Sequence, residues 1–315
     1  MRPACVDMVF ELAKRDPRVA YIGSDLSPDL TQRMKAEMPG RAFMEGVSEQ
    51  HVVGMAAGLA MEGFIPYVHT IATFITRRCY EQVAVDLCLH NLPVRLIGNG
   101  GGLVYAPLGP THLAIEDMAI MRALPNMTVV AVCDADEMRR FMAETLDWPG
   151  PIYIRLAKGF DPVVSRDENG FRIGKAILMR EAAAKDNVLI VSTGVMTTHA
   201  LEAAKTLAAD GIEATVLHLH TVKPLDVEAI SRHARQARLV LTVEEHTVIG
   251  GLGSAVTDAL TLGARRAPPL LKRLGLPDDF THNYGSQDDL MQLYGLQPPQ
   301  IAASVRDALR ELAPA

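Results

Sequence analysis

Short apolar runs that alternate with stretches of helical period are the feature that most constrains this chain. Val19–Gly23, Ile65–His69, Val94–Gly98, Thr128–Cys133 and Ile152–Leu156 read as strands, and residues 48–62, 76–90, 115–123 and 135–147 carry apolar side chains at helical spacing. A strand, a helix and a further strand make a βαβ unit, and repeated units build a mainly parallel sheet. The runs Leu92–Gly98 and Met127–Cys133 are apolar on both faces, as expected of strands covered by helices on each side of a sheet.

Residues 158–185 interrupt the pattern with charge, glycine and turn formers. Alternation then resumes with strands at Asn187–Ser192, Ala214–His220 and Leu239–Glu244 and helices over 197–209, 226–236, 252–262 and 299–312. The pattern predicts an α/β protein of two doubly wound, mainly parallel-sheet domains, over 1–165 and 186–315, joined by a linker at 166–185. A chain of 315 residues is long enough for two cores.

A net charge of −6, with no basic cluster, argues against a nucleic-acid partner, because phosphate binding requires a basic surface. No stretch of about 18 apolar residues free of charge is present, so no membrane span is expected. The N-terminal segment carries too many charges for a leader peptide. Cys5, Cys79, Cys88 and Cys133 lack the spacing of a metal site or redox pair, which suits isolated thiols in a reducing, cytoplasmic setting.

Five segments carry chemistry. In Glu45–His51, Ser48 is placed to cap a helix and Glu49 falls in its first turn, where the helix dipole favours a carboxylate. The small residues Gly54, Ala56, Ala57, Gly58 and Ala60 allow close packing of that helix, a crowded setting in which a carboxyl group can act as an acid. Phe74, Arg77 and Tyr80 recur every third residue after a strand end, the edge where parallel sheets bind ligands. The strand at Val94–Gly98 runs into a long glycine-rich loop that carries His112. Arg155 and Lys158 end the strand Ile152–Leu156 and suit a phosphate or carboxylate, or acidic side chains of the chain itself. Gly250–Val256 opens a helix but lacks the third glycine of a dinucleotide loop, and close packing is its default reading. His69, His220 and His246 receive no role from the sequence.

The order EGVSEQHVVGMAAGLAMEG, ATFITRRCYEQV, LPVRLIG, GPTH, MRALPNM, VKPLD, VEEH and GGLGSAV resembles transketolases and 1-deoxyxylulose-5-phosphate synthases over nearly the whole chain. That resemblance implies a thiamine-diphosphate pyrimidine-binding domain followed by a transketolase C-terminal domain. It implies a transferase of aldehyde or ketone residues that moves a two-carbon ketol unit between sugar-phosphate-like ketose and aldose. Acyloin formation, as in deoxyxylulose synthesis, and the β subunit of a 2-oxoacid dehydrogenase are the alternatives.

By the same resemblance Glu49 bonds N1′ of the aminopyrimidine and promotes loss of the thiazolium C2 proton. Phe74 stacks on the pyrimidine, Tyr80 and Asp25 lie beside the cofactor, and Arg77 stands where the synthases carry arginine and transketolases a second aromatic. His112 matches a histidine that faces the substrate, and Arg155 and Lys158 fall where cations meet a substrate phosphate. Ala106-Pro107-Leu108 replaces an acidic element that reads a substrate hydroxyl, which points to an unusual substrate. The chain holds no GDG, the start of the family's Mg²⁺ and diphosphate motif. A separate subunit is therefore expected to bind Mg²⁺ and diphosphate, in an α2β2 assembly whose active site lies between subunits.

Overall fold

A computed structural model describes residues 1–24, 26–157, 159, 161–183, 187–262 and 269–312. Twelve strands are present among them: β1 Val19–Gly23, β2 Ala42–Met44, β3 Ile65–Ile71, β4 Arg95–Asn99, β5 Thr128–Ala131, β6 Ile152–Leu156, β7 Ile177–Arg180, β8 Asn187–Ser192, β9 Ala214–His218, β10 Thr221–Lys223, β11 Ala237–Thr247 and β12 Leu270–Leu276. They form a seven-stranded sheet in the order β10-β5-β6-β4-β3-β1-β2 and a five-stranded sheet in the order β12-β11-β8-β9-β7. Every pairing is parallel except β10 with β5 and β7 with β9.

Both faces of the first sheet are covered, which is why its central strands read as unbroken apolar runs. Ile152, Ile154 and Leu156 of β6 pack with Cys5, Val9 and Leu12 of the helix Arg2–Arg15 and with Met138 and Phe141 of the helix Ala135–Glu144. Tyr153 points the other way, into a layer with Val52, Val53, Ala56 and Ala57 of the helix Glu49–Met61. The alternation follows from the two-residue period of a strand. Arg95 interrupts the apolar run of β4, and its guanidinium is buried. It donates to the carbonyls of Thr145 (2.8 Å), Gly150 (2.6 Å) and Trp148 (2.6 Å), and burial pushes it down to about 10. His69, in β3, is likewise internal: its Nδ1 meets the Tyr21 hydroxyl at 3.2 Å, and burial pushes it down to about 3.

The expected strands are present with shifted ends, and the expected helices are present with one exception. Residues 76–90 are not one helix: a one-turn helix, Ala72–Thr76, stops, and after a turn at 77–79 the chain rewinds over Tyr80–Cys88. The last part is wound wide, with the Leu89 amide donating to the Ala84 carbonyl. Strand β7 lies within the segment read as a linker, and the strand read as running to His220 stops at His218, with a separate short strand, β10, following it. Strand β10 leaves the second unit to pair with β5 at the edge of the first sheet.

The two units are therefore fastened together. Ala131 donates from its amide to the His220 carbonyl at 2.7 Å, and Gly194 to the Ala131 carbonyl at 3.0 Å. Glu137 and His218 make a buried pair across the junction, Oε2 to Nε2 at 3.0 Å. Burial alone would raise the Glu137 carboxyl, but the charge and hydrogen bond of His218 bring it down to about 2. Cys133 lies beside this pair, its thiol held well above the usual range by burial and the neighbouring carboxylates.

A second buried carboxyl crosses the junction. Glu245 of β11 accepts from the Leu103 amide at 2.7 Å and from Gln287 Nε2 at 2.8 Å, so the second unit holds the glycine-rich loop of the first. Burial raises Glu245 to about 7, against the pull of Arg155. Unfolded glutamate titrates near about 4.3, so between that pH and about 7 the folded chain binds the extra proton. Stability from this group is thus complete at the acid end and is lost as pH rises through 7. Replacing Glu245 with Gln is expected to flatten the pH dependence of the urea midpoint over that interval. Integrated over that interval, the pH dependence removed amounts to up to about 4 kcal/mol. An unchanged slope would refute the assignment.

Candidate functional site

The carboxyl ends of β1 and β3 and the start of the helix Glu49–Met61 meet at one edge of the first sheet. Glu49 occupies the first turn of that helix and is only 3% exposed. Ser48 takes the capping position, but its hydroxyl donates to the Glu45 carbonyl at 2.8 Å instead of accepting from a helix amide. Of the small residues that follow, Ala56, Ala57 and Ala60 are buried, whereas Gly54 and Gly58 face outward with open space where a side chain would stand. Two groups fix the Glu49 carboxylate. Thr70 Oγ1 donates to Oε1 at 3.3 Å, itself receiving the Ser24 hydroxyl at 3.1 Å, and Arg78 Nη1 donates to Oε2 at 3.3 Å.

Phe74 sits beside this carboxylate. The Arg78 guanidinium lies over its ring, 3.9 Å from the centroid, so one planar cation touches both Phe74 and Glu49. Arg77 is turned elsewhere: it forms an ion pair with Glu116 and donates through Nη2 to the Leu113 carbonyl at 2.9 Å. Tyr80 opens the next helical segment and packs on the core layer beneath the sheet. Arg78, four positions on from Phe74, covers its ring instead of Arg77, three positions on; both spacings make neighbours on a helical turn.

The glycine-rich loop brings the histidine. Gly102 exchanges backbone hydrogen bonds with Ala114 at 2.9 and 3.1 Å, closing the loop at its base. Gly102 has φ +67°, and a Cβ there would stand 2.4 Å from Glu245 Cδ, so only glycine fits. His112 is carried to Phe74, with ring centroids 5.2 Å apart in an edge arrangement. Thr73 Oγ1 donates to the His112 carbonyl at 3.0 Å, and Thr111 Oγ1 meets His112 Nδ1 at 2.9 Å. A half-buried imidazole, an aromatic face and a buried carboxylate are thus gathered at one sheet edge.

Arg155 is not part of this group. Its side chain is 6% exposed and pairs with Asp117 at 2.8 Å, and its Nη2 donates to the carbonyls of Glu245 (2.8 Å) and Ala114 (3.1 Å). Tyr153 donates to the same Asp117 oxygen at 2.7 Å. Asp25 and Lys158 lie outside the described residues. The amides of Leu252 and Gly253, where the glycine segment opens its helix, are taken by the Glu244 carboxylate at 2.6 and 2.8 Å, which leaves that helix end engaged by the chain itself. His246 Nε2 accepts from the Ala119 amide at 3.3 Å.

Residues 1–160 match the model of the transketolase pyrimidine binding domain, and residues 174–301 that of the transketolase C-terminal domain. The chain is 37% identical over 308 residues to the 6-deoxy-6-sulfo-D-fructose transketolase subunit of Clostridium sp. (strain MSTE9), spanning 98% of this chain and 94% of that one. It is 32% identical over 312 residues to an apulose-4-phosphate transketolase subunit of Phocaeicola vulgatus, spanning 98% and 97%. Among solved structures, a split gene transketolase described as an inactive beta4 tetramer superposes with a TM-score of 0.88 at 35% identity, covering 98% of each chain.

The surroundings of Arg155 generate a test of their own. Removing one member of a buried ion pair leaves the other uncompensated, at a cost of about 3–5 kcal/mol. Arg155→Met is expected to lower the urea midpoint accordingly. A normal midpoint combined with a raised KM would instead make Arg155 a substrate ligand.

Proposed function

The chain belongs to the transketolase family, and we propose that it is the subunit of a split enzyme that holds the aminopyrimidine end of thiamine diphosphate. In this reading a second subunit supplies the diphosphate site and Mg²⁺, the assembly is α2β2, and a two-carbon ketol unit passes between sugar-phosphate-like ketose and aldose. Of the relatives matched nearly end to end, two carry the name of a transketolase subunit and one that of a split-gene transketolase, which supports the divided layout.

The observation that carries the reading is the seat of Arg78. A flat, nitrogen-bearing group lies on Phe74 and bonds Glu49 at the same time. An aminopyrimidine makes the same two demands, an aromatic face to stack on and a carboxyl group at a ring nitrogen, so the residues present fit it. When bound, thiamine diphosphate supplies the electron sink for breaking and making a carbon–carbon bond next to a carbonyl. Glu49 would hold the proton shared with the ring nitrogen N1′, with Thr70 and Ser24 fixing which carboxylate oxygen is engaged. Phe74 would set the plane of the ring. His112, held by Thr73 and in edge contact with Phe74, would face the substrate carbonyl and its hydroxyl, within reach for proton exchange.

Turnover is expected only when this chain is combined with its cognate subunit, Mg²⁺ and thiamine diphosphate; robust ketol transfer by the chain alone would refute the divided site. In the reconstituted complex Glu49→Gln is expected to lower kcat by about a hundred-fold or more while leaving the melting temperature unchanged. Full activity in that variant would remove Glu49 from the mechanism. Carbon dioxide release from pyruvate would mark the acyloin reaction instead of ketol transfer.

A further inference from the structure

Arg78 lays its guanidinium on Phe74 and bonds Glu49 in the free chain. We propose that it is a positioning residue: in the free chain it occupies the aminopyrimidine place, and it must leave for the cofactor to enter. The proposal rests on the reading of Glu49 and Phe74 as the pyrimidine site.

Three observations carry it. First, the two contacts converge. The Arg78 guanidinium carbon stands 3.9 Å from the Phe74 centroid, and Nη1 stands 3.3 Å from Glu49 Oε2. A ring stacked on that face and bonded to that carboxylate would overlap the guanidinium. Second, Arg78 is loosely held. Its side chain is 44% exposed, and among the described residues its hydrogen bond and ion pair are both with Glu49. A side chain that stays close to half in solvent has a weakened pair with Glu49 and a weakened contact with Phe74, so a ligand that offers Glu49 its own nitrogens can displace it. Neighbouring Arg77 and Arg155 are anchored instead by carboxylates and carbonyls, and neither lies on Phe74. Third, Arg78 stands in the turn at 77–79, between two helical segments, with a side chain close to half exposed. Rotation about its own side-chain bonds is enough to clear the site.

The arrangement has a physical use. Glu49 is almost fully buried, and a buried carboxylate without a partner is unfavourable. Arg78 provides that partner until a ligand with its own hydrogen-bonding nitrogens replaces it. The consequence is competition: the apparent affinity for the pyrimidine is scaled down to the fraction of chains in which Arg78 has left the site.

The test uses the full chain and the isolated aminopyrimidine half of the cofactor, 4-amino-5-hydroxymethyl-2-methylpyrimidine, titrated by ligand-detected NMR. Arg78→Met is expected to bind it about tenfold more tightly than the unsubstituted chain, a gain that corresponds to Arg78 being in place in about nine chains in ten. Arg78→Lys is expected to fall between, because an ammonium pairs with Glu49 but lacks a flat face. A merely structural residue would not give tighter binding on removal. Equal or weaker binding by Arg78→Met overturns the proposal. Glu49→Gln separates the two layers of the argument. If it loses binding while Arg78→Met gains none, Arg78 alone is misassigned. If Glu49→Gln binds as well as the unsubstituted chain, or no variant binds, the pyrimidine site and the proposal fall together.

Discussion

One buried carboxyl group, Glu245, holds the functional edge in register. It belongs to a strand of the second sheet, yet its acceptor oxygen takes the Leu103 amide of the loop that presents His112. Arg155 works beside it, donating to the Glu245 and Ala114 carbonyls from the first sheet. Loops are normally the most variable parts of a fold. This one is closed at its base by Gly102 and Ala114, pinned at Leu103 and tied at His112 by Thr73, so the imidazole is delivered to Phe74 by hydrogen bonds from both units.

The fold was largely legible because parallel strands buried on both faces leave an unmistakable apolar signature. What escaped notice had no such signature. Strands β2 and β10 are three residues long, too short to show a period, and β12 is a partly exposed edge strand carrying Lys272 and Arg273. Strand β7 sits in a stretch whose charges and glycines resemble a linker. No local pattern could have revealed that the chain leaves its own sheet after His218, since that crossing is decided by partners far away in sequence.

The grouping at the candidate site was legible in its carboxylate, aromatic and imidazole and less so in its cations. Glu49, Phe74 and His112 are readable from segment order and lie together. The three-residue spacing points to Arg77, but Arg77 pairs with Glu116 and Arg78, four positions on, lies on the ring. Two basic residues side by side thus take different partners. Arg155 illustrates the opposite limit: a cation at a strand end suits an incoming anion, but Asp117, the first residue of a short helix and 2.8 Å away, already provides the negative charge.

The excursion of β10 also bears on how the molecule comes apart. A cut in the glycine- and charge-rich stretch between the sheets would sever the covalent path but not the ladder between Thr221 and Val130. Each fragment would keep its own core, yet the leading one would carry β5 as a raw margin once its borrowed neighbour was withdrawn. A nicked molecule should therefore stay whole under native conditions, and either half made separately should tend to recruit strands from other chains.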